Sequence, residues 1–294
     1  MSTVIERIGI AVGVDGSPGS AAAVRWAAHD AALRHVPLTL VHVADSVVPM
    51  WSRTPMPSGF GRWQQQRGRQ LIDDAIRIVE DTTSGTGSVQ VRSEMYYSAT
   101  VPTLVDISKE SDLVVVGSRG QSPFGRLLGS VSWGLVHHAY CPVAVIHHLQ
   151  DSSIPAPQAP VLVGVDGSPA SESAIAIAFD EASRRHADLI ALHAWSDTGV
   201  SDFPGVEWPA MKSSEEQVLA ERLGGWQERY PDVRVHRVVE CDRPAHKLVE
   251  HSEHTQLVVV GSHGRGGFAG MLLGSVSAAV INSVQVPVIV ACAM

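Results

Sequence analysis

Lysine is nearly missing from this sequence. Lys109, Lys212 and Lys247 are the only three in 294 residues. None of them follows a glycine loop, so the lysine of a GxxxxGK[ST] phosphate loop has no candidate. Cysteine is equally scarce, with Cys141, Cys241 and Cys292 and no CxxC spacing. Three cysteines cannot all pair, which argues against a disulfide scaffold and for a reducing compartment. Cys141 opens an apolar run and reads as a small buried hydrophobe. GxSxG, HExxH and paired CxxC motifs are absent, which removes the common signatures of serine hydrolases, zinc proteases and zinc ribbons.

Long apolar runs are lacking too. None reaches about 18 residues, so no membrane span and no membrane insertion is expected. The opening stretch MSTVIERIGIAVGVDG has no basic region before its apolar run, which glycine interrupts and Asp15 ends, so it does not read as a signal peptide. A cytoplasmic location is the expectation. Basic runs are missing as well. Residues 1–150 carry 12 Arg and Lys against 12 Asp and Glu, whereas residues 151–294 carry 10 against 18. The formal net charge of −8 therefore belongs to the second half. An acidic half argues against nucleic acid or anionic lipid as the main partner.

What the chain does contain, it contains twice. AVGVDGSP at 11–18 returns as LVGVDGSP at 162–169, and LTLVHV at 38–43 returns as LIALHA at 189–194. LVVVG at 113–117 recurs at 257–261, and GSVS at 129–132 recurs at 274–277. The spacing drops from 151 to 144 and then rises to 145 inside the second glycine loop. A repeat of this length is a domain. Residues 1–149 and 161–294 are expected to be the two domains, with the proline-rich QDSSIPAPQAP at 150–160 as an extended linker.

Within the first unit, β-branched runs at 8–14, 38–43, 89–95, 113–117 and 142–147 alternate with helical patterns at 18–35, 63–82, 101–110 and 130–139. That alternation predicts α/β architecture: two tandem doubly wound units, each a five-stranded parallel sheet of order 3-2-1-4-5 with helices on both faces. Ser17-Pro18 and Ser168-Pro169 place a capping hydroxyl before a first-turn proline. In such sheets ligands sit beyond the strand carboxyl ends where strand order reverses, here between strands 1 and 4. The glycine-rich loops follow those two strands, GVDGSP after the first and GSRG or GSHGRGGFAG after the fourth. Glycine lets main chain take positive φ and approach a ligand, and successive N–H groups form an anion nest. GSVS opens the following helix, whose free N–H groups and dipole favour phosphate. Ser130 and Ser275 add hydroxyls, and a handful of charge-assisted bonds at about 1.5–3 kcal/mol each suffices for micromolar binding.

Gly261-x2-Gly264-x9-Gly274-Ser275, after LVVVG and with an aspartate after strand 1, resembles the signature of nucleotide-binding universal stress proteins. The whole chain resembles the tandem members of that family. The resemblance implies ATP, with magnesium a further possibility. It places Gly164 and Asp166 after strand 1, the aspartate near the ribose or a metal, and Ala194 at the adenine through its backbone. Gly261, His263, Gly264, Arg265, Gly266 and Gly267 would wrap the phosphates, and Gly274, Ser275, Val276 and Ser277 would close the site. The first-half set is Gly13, Asp15, Val43, Gly117, Arg119, Gly120, Gly129, Ser130, Val131 and Ser132. Asp197 is a further ribose candidate. The resemblance also implies pairing of the last strands, 142–147 and 286–291, across domains or between chains as a homodimer, and a regulatory protein partner.

The first half departs from the pattern. Eight residues separate Gly120 from Gly129, and Ser122 and Pro123 replace two glycines. Proline removes a donor and fixes φ, so the first site is expected to bind more weakly or in a different phosphate pose. Asp15 and Asp166 also serve as ordinary turn residues, which needs no metal. Gly264 to Ala269 fits GxGxxA, but after strand 4 rather than strand 1, which keeps a flavin or nicotinamide enzyme as a lesser alternative. The 14 histidines include the adjacent pairs His137-His138 and His147-His148, whose side chains diverge. His42 and His193 stay outside the expected site as packing residues. Long loops after each second strand, with Trp51 and Trp208, read as lids. The chain is expected to be an ATP-binding stress regulator with at most slow hydrolysis; the alternative is an interaction scaffold with vestigial sites.

Overall fold

The computed structural model describes residues 8–44, 59–85, 87–120, 128–147, 158–195, 208–241, 243–264 and 273–292, without the side chains of 195 and 208–211. The chain divides into two compact units, Met1–His148 and Leu149–Met294. Residues 150–157 of the expected linker lie outside the described residues.

In the first unit the elements are β1 (Ile10–Gly13), α1 (Pro18–Arg34), β2 (Leu38–Ala44), α2 (Phe60–Thr83), β3 (Val91–Tyr97), α3 (Thr100–Ile107), β4 (Leu113–Gly117), α4 (Ser130–His138) and β5 (Val143–Ile146). The strands run in the order β3-β2-β1-β4-β5, and every described pairing within the unit is parallel. Ile10 pairs with Leu38 on one side and Leu113 on the other. Helix α1 packs on α2, and α3 on α4. The central residues of β1 and β4 are buried along consecutive positions, as strands covered on both faces must be.

The second unit repeats this plan with β6 (Val161–Gly164), α5 (Pro169–Arg184), β7 (Leu189–Trp195), α6 (Trp208–Arg229), β8 (Val235–Cys241), α7 (Pro244–Ser252), β9 (Leu257–Gly261), α8 (Ser275–Ser283) and β10 (Val288–Ala291). Its order is β8-β7-β6-β9-β10, again parallel throughout the described pairings. Both units therefore have the 3-2-1-4-5 order expected from the sequence.

The first crossover helix of each unit starts as its sequence dictates. Ser17 accepts the N–H of Ser20 at 3.1 Å and Ser168 that of Ser171 at 3.2 Å, with proline in the first turn of each helix. Gly16 and Gly167 both sit at φ 79°, a conformation that a side chain would strain. Strand β1 starts two residues later than the apolar run because Gly9, at φ 74°, breaks the extended backbone. Helix α2 starts earlier than its apolar pattern, at Phe60, because the first turn needs no buried face.

Candidate functional site

In the second unit, β6 and β9 are neighbours that lead away in opposite directions across the sheet, and their loops rise side by side. The end of β9 is pressed onto the start of α5. A Cβ on Gly261 would lie 2.8 Å from the carbonyl carbon of Ala170, so only glycine fits. After β6 the chain makes an aspartate-anchored turn. The Asp166 Oδ1 accepts the N–H of Ser168 at 2.9 Å, and the Asp166 N–H donates to Ser171 Oγ at 3.1 Å. The second carboxylate oxygen lies against Gly264, where a Cβ would stand 2.4 Å from it. Ser168 also donates to the His263 carbonyl at 3.3 Å, which ties the two loops together.

The glycine loop closes on itself at its far end. Gly274 N–H donates to the Ser262 carbonyl at 2.7 Å, and Ser277 Oγ donates to the Gly261 carbonyl at 2.6 Å. Helix α8 then begins from Gly274, whose backbone is extended and which supplies no side-chain cap. The contrast with α5 is chemical. Ser168 satisfies a first-turn N–H of α5, whereas the first turn of α8 has no such side-chain acceptor. Ser275 stands exposed at that helix end.

Between these loops lies a pocket of about 590 Å³, within the range of small-molecule and cofactor sites. Gly164, Asp166, Ala194, Gly261, His263 and Gly264 line it on the strand side, and Gly274, Ser275, Val276 and Ser277 on the helix side. All the described second-half residues expected at the site are thus brought together. Arg265, Gly266, Gly267 and Asp197 lie outside the described residues. The sequence reading missed the apolar lining, made by Leu192, Pro244, Leu248, Val260 and Leu273. Pro244 and Leu248 come from α7, and their only signal was helical apolar spacing, which does not say what the helix faces. Val165, Ser171 and Ala278 complete the lining.

One expectation needs correction. The positive φ values near the site belong to Gly16 and Gly167 in the aspartate turns; Gly117, Gly120, Gly129, Gly261, Gly264 and Gly274 are not among the positive-φ glycines. Close approach is what Gly117 and Gly261 need, against the main chain of Gly19 and Ala170, and what sets Gly120 and Gly264 against the carboxylates of Asp15 and Asp166. Ser132 and Ser277, expected among the residues that close the site, are buried, and their hydroxyls donate to the carbonyls of Gly117 and Gly261. They staple the strand end to the helix, although Ser277 still borders the pocket.

The first unit carries the same framework. Asp15 Oδ1 accepts the N–H of Ser17 at 2.8 Å, and a Cβ on Gly120 would stand 2.7 Å from Asp15 Oδ2. Gly129 N–H donates to the Ser118 carbonyl at 2.8 Å, and α4 starts from Gly129 without a side-chain cap. Gly13 ends β1, Val43 lies half-buried in β2, and Arg119, Gly120 and Ser130 are exposed, with Val131 in the first turn of α4. Ser122 and Pro123, on which the expected weakening of this site rests, lie outside the described residues, as do 45–58 and 196–207 of the two loops, 44–63 and 195–213, read as lids; residues 60–63 and 208–213 of those loops are instead helical, in α2 and α6, with Trp208 the first residue of α6. His147 follows β5; burial, reinforced by the Arg119 charge, pushes its imidazole down to about 4.

The metal reading of Asp15 and Asp166 gains no ligand set. Among the described residues no group of three or more His, Cys, Asp or Glu is arranged to hold an ion, and each aspartate commits one oxygen to its turn. His42 and His193 act in the framework: their Nδ1 atoms lie 2.7 and 2.6 Å from the carbonyls of Val14 and Val165.

The fold and this crevice define a class, a doubly wound α/β protein with a glycine-lined opening at the strand-order reversal of its second unit and the same framework of turns in its first. Comparison narrows it. The sequence profile of the Universal stress protein family matches residues 9–147 and again 159–291. A universal stress protein of Mycobacterium tuberculosis is 59% identical over 293 residues, covering 99% of this chain and 98% of that protein. Another from the same organism is 56% identical, covering 99% of each. The crystal structure of a universal stress protein from Archaeoglobus fulgidus shares the fold with a TM-score of 0.74 at 20% identity, covering 98% of this chain and 100% of that one. The chain belongs to the universal stress protein family, in tandem form, and shares that family's stress-response role. No helix among the described residues is long and apolar enough to cross a membrane.

Proposed function

We propose that the chain is an ATP-binding stress regulator whose nucleotide state controls its interactions with a protein partner. One observation carries this reading. The uncapped first turn of α8, which starts beside Gly264, and the Asp166–Gly264 contact line one pocket together with the apolar Leu192, Pro244 and Leu248. A nucleoside triphosphate needs that polarity: main-chain N–H groups and a helix N-terminus for phosphates, an apolar slot for a base. The base would lie between Leu192, Ala194, Pro244 and Leu248, with the Ala194 backbone at its edge. The phosphates would meet Gly264, Gly274 and Ser275, and the outer oxygen of Asp166 would reach the ribose. Magnesium would travel on the phosphates, since one or two carboxylates and waters suffice for it.

The proposal assigns no turnover step to the protein, and places it in the cytoplasm. It includes a homodimer formed through the terminal strands, which sedimentation velocity tests directly.

Mass spectrometry of the gently purified protein tests the ligand, followed by calorimetric titration with ATP. Bound ATP and a micromolar dissociation constant are expected. A protein that carries no nucleotide and takes up none supports a scaffold with vestigial sites, and a flavin or nicotinamide would replace ATP in the proposal.

A further inference from the structure

His193, in β7, places its imidazole between two acceptors. Nδ1 lies 2.6 Å from the Val165 carbonyl oxygen, and Nε2 lies 3.3 Å from Glu215 Oε2 on α6. A carbonyl can only accept, so Nδ1 carries a hydrogen and donates it. In the neutral ring Nε2 is then bare, and its lone pair faces a carboxylate. A second proton turns that facing into an ion pair. The clamp is complete only when the imidazole carries both protons.

What the clamp holds is the start of the Asp166 turn. Val165 precedes Asp166, and its N–H also donates to the Leu192 carbonyl of β7 at 2.8 Å. Strand β7 thus grips both polar groups of Val165, and one grip is tied to α6 through Glu215. Asp166, Glu215 and Arg222 line the same small space behind the turn. Arg222 there is paired with Glu172 of α5 at 2.7 Å.

Among the described residues the first unit shows no second arm. His42 Nδ1 meets the Val14 carbonyl in the same way. On its other side stand Gly68 of α2 and Met95: a Cβ on Gly68 would lie 3.3 Å from His42 Nε2 and 2.5 Å from the Met95 sulfur.

We propose that His193 is a positioning residue of the second crevice, whose doubly protonated form, paired with Glu215, sets the Asp166 turn for a nucleotide. The ligand affinity of that crevice is then linked to protons, and that of the first crevice is not. This rests on the nucleotide reading above.

The test uses the full chain with ATP. In a Gly120→Glu background only the second crevice binds. There, the affinity of the chain with Glu215 relative to its Glu215→Gln counterpart is expected to be about two- to fivefold higher at pH ~6, the size of a partly exposed ion pair, and no higher at pH ~8.5, where the Gln amide N–H rather than a carboxylate meets the bare Nε2. Because ATP titrates identically in both arms, the ratio reports the protein. In a Gly264→Glu background, which leaves the first crevice, Glu215→Gln is expected to change nothing at either pH. A ratio that does not vary with pH in the first background overturns the proposal. If ATP binds in neither background, the nucleotide reading fails instead. The clamp is then read alone from the ¹⁵N shifts of the His193 ring, and a titration unaltered by Glu215→Gln overturns it.

Discussion

Asp166 Oδ2 lies so near the Gly264 backbone that a Cβ there would stand 2.4 Å away, and Asp15 repeats the relationship with Gly120 at 2.7 Å. Each aspartate turn therefore seats a glycine of the neighbouring loop. The pair joins the loops after strands 1 and 4 into one wall.

Gly264→Glu is the direct consequence. It sets a second carboxylate beside Asp166 and displaces main chain from the pocket. Loss of two charge-assisted bonds at about 1.5 kcal/mol each lowers ATP affinity at the second crevice about a hundredfold. Calorimetry should show one site lost out of two, and retained binding at both sites would misplace the phosphate end.

Ser277 and Ser275 should separate stability from binding. Ser277→Ala leaves the Gly261 carbonyl short of its hydroxyl donor and is expected to cost about 1–2 kcal/mol of unfolding free energy. Ser275 is exposed at the helix start, so Ser275→Ala should leave the denaturation midpoint unchanged while weakening ATP binding. Urea titration and calorimetry on both variants check this, and the reverse pattern would exchange their roles.

His147 makes the first unit acid-sensitive. Its Nε2 is buried with no hydrogen-bond partner among the described residues, and the ring stays neutral down to about 4. The unfolded chain takes up the same proton near ~6.5. Between those values the unfolded state binds more protons, so the contribution is fully present above ~6.5 and is lost as pH falls toward 4. The gap corresponds to about 3 kcal/mol at most. Acidification from pH ~7.5 to ~4.5 should therefore destabilise the wild type more than His147→Gln; equal losses would remove His147 from the account.

The three thiols should react in a fixed order. None is in a disulfide; Cys241 is exposed and Cys141 buried, and burial pushes the Cys292 thiol above its ordinary range. A thiolate-specific reagent at neutral pH is expected to modify Cys241 first, with Cys292 following only slowly. Peptide mapping over time checks the order.

The repeated strings fixed much of this molecule before any coordinates. VDGSP announced a capped helix after a tight turn because serine, proline and Asp-Gly act within a few residues of one another. LVVVG twice announced a strand covered on both faces, because a parallel strand has no wet side. Strand order followed from the alternation of elements, since right-handed crossovers leave few topologies. What lay beyond the sequence was which atoms face one another. Ser275 and Ser277 are two residues apart in one motif, yet helix geometry exposes one hydroxyl and folds the other back on Gly261. Glycine at 261 and 264 is demanded by Ala170 and Asp166, about a hundred residues away in the chain, not by local torsion. The apolar lining of the pocket depends on how α7 crosses the sheet, and His193 meets Glu215 only because α6 packs beside β7. Local chemistry is written in neighbouring residues; contacts across the fold depend on packing, which no short string encodes.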